Sequence, residues 1–268
     1  MITIIILIVI LILLDMTAEN LFILRVRKED LGGRISAAHI ADMHKRSFGK
    51  NNKSLIKKLS SQKPDIILIS GDLISRDFTD FSGAKATLAS LSKIAPTYVV
   101  FGNHEADLPP TLKEEFIQIV INSGAVLINN KTVQLKIHDQ KINLCGLVLP
   151  HSVYKKNESY RCLDTINSDE INDILGKKPE GKTILMVHNP LFADEYADWG
   201  ADYTVSGHVH GGAVNIPFTR IGLLSPERKL FPKYTRGIYT ISNMKLLLSG
   251  GLGKLRAFNP PEIVIYKL

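Results

Sequence analysis

The stretch ISAAHIADMH, residues 35–44, decides the fold. Its first half is small and apolar and reads as a buried strand, and its end sets an Asp and a His two positions apart. The same arrangement returns in DIILISGD (65–72), TYVVFGNHE (97–105), TILMVH (183–188) and DYTVSGHVH (202–210). In each, a short β-branched or aliphatic run leads directly into Asp, Asn or His. Open α/β sheets place their ligand crevice beyond the carboxyl ends of the strands. Five runs of this kind therefore gather metal-ligating and acid–base groups around one place and point to a two-metal hydrolytic centre.

Working outward, strands alternate with amphipathic helices. Residues 52–61 carry Leu55, Ile56 and Leu59 on one helical face and Lys53, Lys57 and Lys58 on the other, and Pro64 stops the helix. Residues 81–93 form the next helix, and Pro109-Pro110 opens another that ends at Gly124. A short strand is expected at residues 21–26. Residues 125–128, 132–138 and 141–149 read as neighbouring strands with a tight turn at Asp139-Gln140. Further helices fall at 169–175 and 191–199, and further strands at 237–242, 245–249 and 263–266. The expectation is an α/β (α+β) chain with a mostly parallel first sheet and a more antiparallel second one. The two sheets pack face to face with helices outside.

At 268 residues with 45% hydrophobic and 22% charged side chains, one large domain over residues 21–268 is expected after an N-terminal segment, 1–20. That segment is almost wholly aliphatic to Leu14, with Thr3 its one polar side chain. An uncleaved single-helix anchor in the cell membrane is the expectation, although the apolar run is short of the ~20 residues a span needs. A cleaved signal is the alternative, and Arg25, Arg27 and Lys28 leave the side of the membrane undetermined. The net charge of +7 is scattered, without an aromatic-interleaved or recognition-helix pattern. A solvated surface beside an anionic membrane is expected, and no nucleic-acid partner. Cys145 sits in a predicted strand as a packed thiol, and with Cys162 it forms no metal-binding spacing.

Taken singly, an Asp-x-His pair, a Gly-Asp turn or a histidine after a strand is an ordinary structural feature. Their joint occurrence is not, and 5 of the 8 histidines fall in these clusters. Asp42 and His44, and likewise His208 and His210, face one side if the strand ends stay extended. Asp72 has two oxygens and is able to bridge two cations; Asn103 offers an amide oxygen and His188 an imidazole. Two cations about 3.5–4 Å apart would hold a bridging hydroxide and polarise a phosphoryl oxygen, and an imidazolium at His104 would neutralise the leaving oxygen. Glu105 is placed either to orient His104 or to lie exposed.

The ordered set Asp42-x-His44, Gly71-Asp72, Gly102-Asn103-His104-Glu105, His188 and Gly207-His208-x-His210 resembles the calcineurin-like metallophosphoesterase superfamily, over about residues 35–268. The resemblance implies a four-layer αββα sandwich and two divalent cations. By position, Asp42, His44, Asp72 and His210 would bind one, and Asp72, Asn103, His188 and His208 the other. His104, no ligand, would contact the phosphate. Mn, Fe, Zn, Ni or Mg all suit these donors.

Two departures narrow the reading. Gly71–Arg76 lacks the Gly-Asp-x-Val-Asp-Arg-Gly pattern of protein Ser/Thr phosphatases. The stretch after His210 resembles a bacterial membrane-anchored branch acting on lipid-linked phosphoesters such as UDP-diacylglucosamine, yet Gly211-Gly212 is followed by Ala213 where that branch often has Gln. Residues 219–236 mix cations, Arg220 and Arg228 among them, with apolar groups. They suit a lid over an amphiphilic substrate as well as an ordinary surface loop. Arg256 is a further candidate phosphate contact. The expected activity is hydrolysis of a lipid-linked or nucleotide-linked phosphoester at the membrane. The alternatives are a phosphodiesterase or nucleotidase for soluble molecules, and a catalytically silent metal-dependent binding module.

Overall fold

The computed structural model describes residues 2–156, 159, 163–212, 214–216, 219, 221–223, 230–254 and 256–268. In chain order the first half contains α1 (Ile2–Leu21), β1 (Arg25–Asp30), β2 (Ser36–Ile40), α2 (Lys53–Ser60), β3 (Ile66–Ile69), α3 (Ser82–Ser92), β4 (Thr97–Val99), α4 (Asn103–Ala106) and α5 (Pro110–Asn122). The second contains β5 (Val126–Leu127), β6 (Lys131–Ile137), β7 (Gln140–Leu147), α6 (Ser168–Leu175), β8 (Lys182–Val187), α7 (Ala193–Trp199), β9 (Tyr203–Ser206), β10 (Gly237–Ile241), β11 (Met244–Leu248) and β12 (Glu262–Lys267).

These strands make two six-stranded sheets, ordered β1-β12-β2-β3-β4-β5 and β10-β11-β9-β8-β7-β6. Both are mixed. β2 through β5 run parallel, with β12 antiparallel to β2. β7, β8, β9 and β11 run parallel between antiparallel edges, so the second sheet is less antiparallel than its hairpins suggest.

Alternation along the strands sorts side chains into three apolar layers. Ile66 and Leu68 of β3, Tyr98 of β4, Ile184 and Met186 of β8 and Val205 of β9 meet between the sheets. Ile67 and Ile69 point the other way, against Leu55 and Leu59 of α2, Leu88 of α3 and Phe116 of α5. Leu185 and Val187 do the same toward Ile171 of α6 and Tyr196 and Trp199 of α7. The order is therefore helices, sheet, sheet, helices. The strands at the centre carry apolar side chains on both faces because both faces are covered.

Local differences from the expected elements have plain causes. The hairpin between β6 and β7 turns at His138-Asp139 (φ 46° and 64°), one residue earlier than expected, and Ile137 pairs with Gln140. Two consecutive left-handed residues are the twist-matching turn for such a hairpin. The strand expected at 21–26 starts later: α1 continues to Leu21, and β1 begins at Arg25 and uses the charged run that follows. As an edge strand β1 tolerates charge, and its Arg27 pairs with Glu262 of β12 at 3.1 Å.

The N-terminal helix α1 docks on the domain through its C-terminal turns. Among the described residues no helix is long and apolar enough to cross a membrane. The last turns of α1 are spent on the domain: Asp15 accepts from the Phe258 N–H (2.6 Å) and Glu19 from the Asn259 N–H (2.8 Å). At about 1.5 Å per residue, the apolar stretch up to Leu14 extends only ~20 Å, against the ~30 Å of a bilayer core.

Burial sets one pH response. His39 of β2 is fully buried, with Nε2 2.7 Å from the Ser70 hydroxyl. Desolvation first, then the positive Arg27, lowers its pKa from 6.5 to about 3. Below pH 6.5 the unfolded chain takes up a proton that the folded one refuses, so stability falls on acidification by up to roughly 1.4 kcal/mol per pH unit. Denaturant midpoints at pH 7 and pH 5 should separate less in His39→Gln than in the wild type.

Candidate active site

β2, β3 and β4 of the first sheet and β8 and β9 of the second end at one seam, and each delivers its polar residues there. The backbone does not stay extended as the i, i+2 spacing suggested. Asp42 (φ 52°), His44 (49°), Asp72 (54°), His208 (69°) and His210 (52°) are all left-handed. Such conformations cost a non-glycine residue of the order of 1–3 kcal/mol each and concentrate at functional sites. Here they fold each strand end into a tight turn whose flanking side chains converge. The residue between each pair is a plug: Met43 is buried in the core outside the first sheet and Val209 in the core outside the second.

Glycines allow the turns to touch. Gly71 has φ 98°, and a Cβ there would sit 2.6 Å from the Gly102 nitrogen and 2.7 Å from Nδ1 of His188. A Cβ on Gly207 would sit 2.6 Å from Oδ2 of Asp42. Through that gap the His208 N–H donates to the Asp42 carboxylate (3.0 and 3.1 Å), tying one sheet to the other.

The side chains meet as follows. Nε2 of His188 lies 3.1 Å from Oδ2 of Asp72 and 3.7 Å from Oδ1 of Asp42. Nε2 of His44 is 3.8 Å from Oδ2 of Asp72 and 3.3 Å from Nε2 of His210, itself 3.7 Å from Oδ1 of Asp42. The rings of His188 and His208 lie edge to face, with centroids 5.0 Å apart. Two of the groupings able to hold a cation are Asp42–His44–His210 and Asp72–His188–His208; a third, His44–Asp72–His104, joins them.

The donor set fits divalent cations. Nδ1 of His188 donates to the Ser70 carbonyl (2.8 Å), which turns Nε2 into the site. Oδ1 of Asn103 is buried without a hydrogen-bond partner, which is costly for a polar atom unless something else takes its lone pair, and His188 Nε2 faces the carboxylates of Asp72 and Asp42. Burial alone would lower the His188 pKa, but Asp72 and Asp42 outweigh it and raise it to about 10. Asp72 is held well below the ordinary carboxylate range, because His188 overcomes the desolvation that would raise it. Asp72 and Asp42 thus favour positive charge around His188.

Glu105 is neither exposed nor in contact with the His104 ring. It is buried, and its two oxygens accept N–H donors from Asp72 (2.9 Å), Gly102 (2.9 Å) and Ile74 (3.1 Å). It clamps the turn after β3 to the turn after β4. Desolvation and the Asp72 charge push its pKa up to about 7, against the pull of those donors. His104 is oriented instead by Arg76, whose N–H donates to Nδ1 (3.1 Å), so the proton sits on Nε2. Burial lowers its pKa to about 4, so the ring is neutral and offers an N–H donor in place of the expected imidazolium.

Beside these residues lies a cleft of about 100 Å³ lined by Arg76, His151, Tyr154 and Lys155 together with His104 and Asn103. The sequence reading left His151 outside the clusters and assigned no role to Arg76, Tyr154 or Lys155. The available signal was Pro150-His151 just past β7, a sixth strand ending at the same seam. Arg220 and Arg228 lie outside the described residues. Arg256 is fully buried, and its guanidinium donates to the Gly253 carbonyl (2.6 Å) and the His210 carbonyl (3.3 Å), so it braces the site from behind and does not face the cleft.

Two mixed sheets that bring imidazoles, carboxylates and an amide from their strand ends to one cleft are the build of a metal-dependent phosphoester hydrolase. The chain belongs to the calcineurin-like phosphoesterase family, whose model matches residues 35–212. It is similar to the uncharacterized metallophosphoesterase YkoQ of Bacillus subtilis, 22% identical over 245 residues that cover 88% of this chain and 84% of that one. It is also similar to the UDP-2,3-diacylglucosamine pyrophosphatase LpxG of Chlamydia muridarum, 24% identical over 260 residues, covering 80% and 77%. Among solved structures, the phosphopantetheinyl hydrolase PptH from Mycobacterium tuberculosis shares the fold at a TM-score of 0.51 and 14% identity, covering 83% of this chain and 92% of that one. TT1561 of Thermus thermophilus does so at 0.53 and 10%, covering 82% and 90%. The protein is thus a phosphoester hydrolase of the metallophosphoesterase superfamily.

The Glu105 clamp gives a direct test. Glu105→Gln exchanges one acceptor oxygen for an NH₂ group that must face an N–H donor. Leaving a buried donor unsatisfied costs about 1–3 kcal/mol, so urea denaturation should show a loss of that size. An unchanged midpoint would mean that the two turns hold together without the clamp.

Proposed function

We propose that this site is a dinuclear metal centre hydrolysing a lipid-linked phosphoester at a membrane surface. In this reading Asp42, His44, Asp72 and His210 would hold one cation, and Asp72, Asn103, His188 and His208 the other. The observation that carries it is the convergence of all seven side chains at one seam, with the Asn103 amide oxygen buried there without a hydrogen-bond partner. Bound divalent cations supply Lewis acidity at phosphorus and a nucleophile at neutral pH.

The chain's own residues do the rest. His104 presents its Nε2–H toward the cleft and donates to a phosphoryl or leaving oxygen as charge develops there. Arg76 and Lys155 on the cleft wall balance the phosphate charge. The Tyr154 ring, with its centroid 5.1 Å from that of His208, shields one side of the site from water. Asp107 accepts from both Arg76 (2.6 Å) and His151 (2.5 Å) and fixes that wall.

Two features support the lipid-linked substrate over a soluble one. The LpxG relative is named for a diacylated sugar nucleotide. The protein also presents bare apolar groups to solvent: Leu11 of α1 is 62% exposed, Leu230 70% and Phe231 62%. Single exposed apolar residues are ordinary, but a helix face of them together with a loop pair suits an interface with acyl chains. α1 would lie in that interface without spanning it.

His104→Ala should keep its cations and lose about 10²–10⁴-fold in turnover of bis-p-nitrophenyl phosphate. Normal kcat in the cation-replete variant would remove His104 from the chemistry. Replacing Leu230 and Phe231 together by Ser should lower turnover of UDP-diacylglucosamine in mixed micelles while sparing the soluble diester. Equal losses on both would reject the acyl-chain role.

A further inference from the structure

The end of α1 is built into one half of the site. Its C-terminal turns are tied to residues 253–259 by a series of hydrogen bonds. Asp15 accepts from the Phe258 N–H and Glu19 from the Asn259 N–H (2.6 and 2.8 Å). The Asn20 side chain donates to the Arg256 carbonyl (3.0 Å) and accepts from the Arg256 N–H (3.4 Å). Arg46, only two residues beyond His44, donates to the Glu19 carbonyl (2.5 Å) and to the Gly253 carbonyl (3.2 Å).

The same short segment holds His210. The Asn259 side-chain amide donates to the His210 carbonyl at 2.7 Å, and Arg256 donates to it at 3.3 Å. His210 is left-handed, so its backbone has no strand or helix partner of its own to hold that strained geometry. Gly253 lies against the other two members of this grouping: a Cβ there would be 3.1 Å from the Asp42 carbonyl oxygen and 3.5 Å from both His210 and His44. Asp42, His44 and His210 therefore lean on residues 253–259, and those residues lean on α1. His188 is braced differently, by the Ser70 carbonyl, and Asp72 by the His104 N–H at 2.9 Å. Neither brace involves α1.

We infer that α1 is a strut for one of the two cation places. Glu19 and Asn20 are positioning residues that, through Asn259 and Arg256, set the geometry of Asp42–His44–His210, while His188 and Asp72 of the other grouping are held by the Ser70 carbonyl and the His104 N–H. The inference rests on the proposed metal centre. It gives the apolar helix a part in the chemistry distinct from attachment to anything outside the protein. Asp15, Glu19 and Phe258 also line a cavity of about 550 Å³, so the strut is reached from solvent and lies apart from the three apolar cores.

The test uses the full chain, stripped of metal and titrated with Co²⁺ by calorimetry and by its visible absorption. The wild type should bind two cations. Glu19→Ala should weaken one of the two by about 10–100-fold, the range usual for residues that orient metal ligands, and weaken the other clearly less. Glu19→Gln keeps a side-chain oxygen acceptor and should restore most of the loss. Thr17→Ala removes a hydroxyl that bonds only within the exposed side of α1, to the Leu13 carbonyl, and should change neither affinity. In steady-state turnover of bis-p-nitrophenyl phosphate at fixed metal, Glu19→Ala should lower kcat and leave KM near the wild-type value, with excess metal restoring it. Two unchanged affinities in Glu19→Ala, equal weakening of both, or the same effect from Thr17→Ala would each overturn the strut. A wild type that binds fewer than two cations would overturn the metal centre itself, and the strut with it.

Discussion

Three carboxylates, Asp42, Asp72 and Glu105, are buried in the seam between two sheets, and the arrangement of the site follows from what that burial demands. A carboxylate removed from water is costly unless hydrogen bonds and opposite charge replace the water. Each is given at least one backbone N–H donor from a turn other than its own: His208 to Asp42, His104 to Asp72, and Asp72 and Ile74 to Glu105, which also accepts from Gly102 of its own turn. These bonds stitch the turn after β2 to that after β9 and the turn after β3 to that after β4, and the backbone bonds from Asp42 to the Gly71 carbonyl and from His44 to the Asp72 carbonyl join the two pairs. Only after they are made do the imidazoles stand where they do, because every histidine concerned sits on or beside a stitched turn.

The same demand explains the strain. Donors must reach carboxylates from turns too tight for ordinary backbone, so five of the site's non-glycine residues adopt left-handed geometry. At about 1–3 kcal/mol each, this is a burden comparable with the net stability of a domain. It persists because the plugs Met43 and Val209 are locked in separate cores, which leaves the short connections between them nowhere else to go. A site formed this way is pre-organised before any ligand arrives, which keeps reorganisation out of the chemical step.

Much of this was legible in sequence, for reasons that differ from residue to residue. Strand cores were readable because both faces of the central strands are buried, so apolar runs such as IILI mark them without ambiguity. The ends were readable because Asp, Asn and His break those runs. The i, i+2 pairing of Asp42 with His44 was read correctly as convergence but for the wrong backbone: left-handed turns achieve it, and extended strand ends do not. Glu105 was the ambiguous residue, since nothing local distinguishes a buried clamp from an exposed side chain. Two of its three donors, Asp72 and Ile74, lie on another turn. Arg76, His151, Tyr154 and Lys155 come to the cleft only through sheet order, and Arg256 looked like an anion contact until its burial became visible. The docking of the N-terminal helix was not legible because its apolar half dominates composition, while the contacts to the domain come from Asp15, Glu19 and Asn20 in its last turns.

That docking bears on how the molecule divides its labour. The residues that define the reaction class are held by bonds within the two sheets, and they are the ones a short motif preserves. The groups behind them, α1 and the tail from 250 to 259, are joined to the centre through a few hydrogen bonds to carbonyls. A carbonyl accepts from any suitable donor, which is why no short pattern announces these surrounding segments. β12 enters the first sheet between β1 and β2, carrying Glu262 beneath Arg27 and drawing residues 253–259 across the back of His210. The last strand of the chain thus closes both the sheet and the site. A chain lacking it would leave β1 without its partner and the His210 carbonyl without its donors, so formation of this half of the centre waits on completion of the fold.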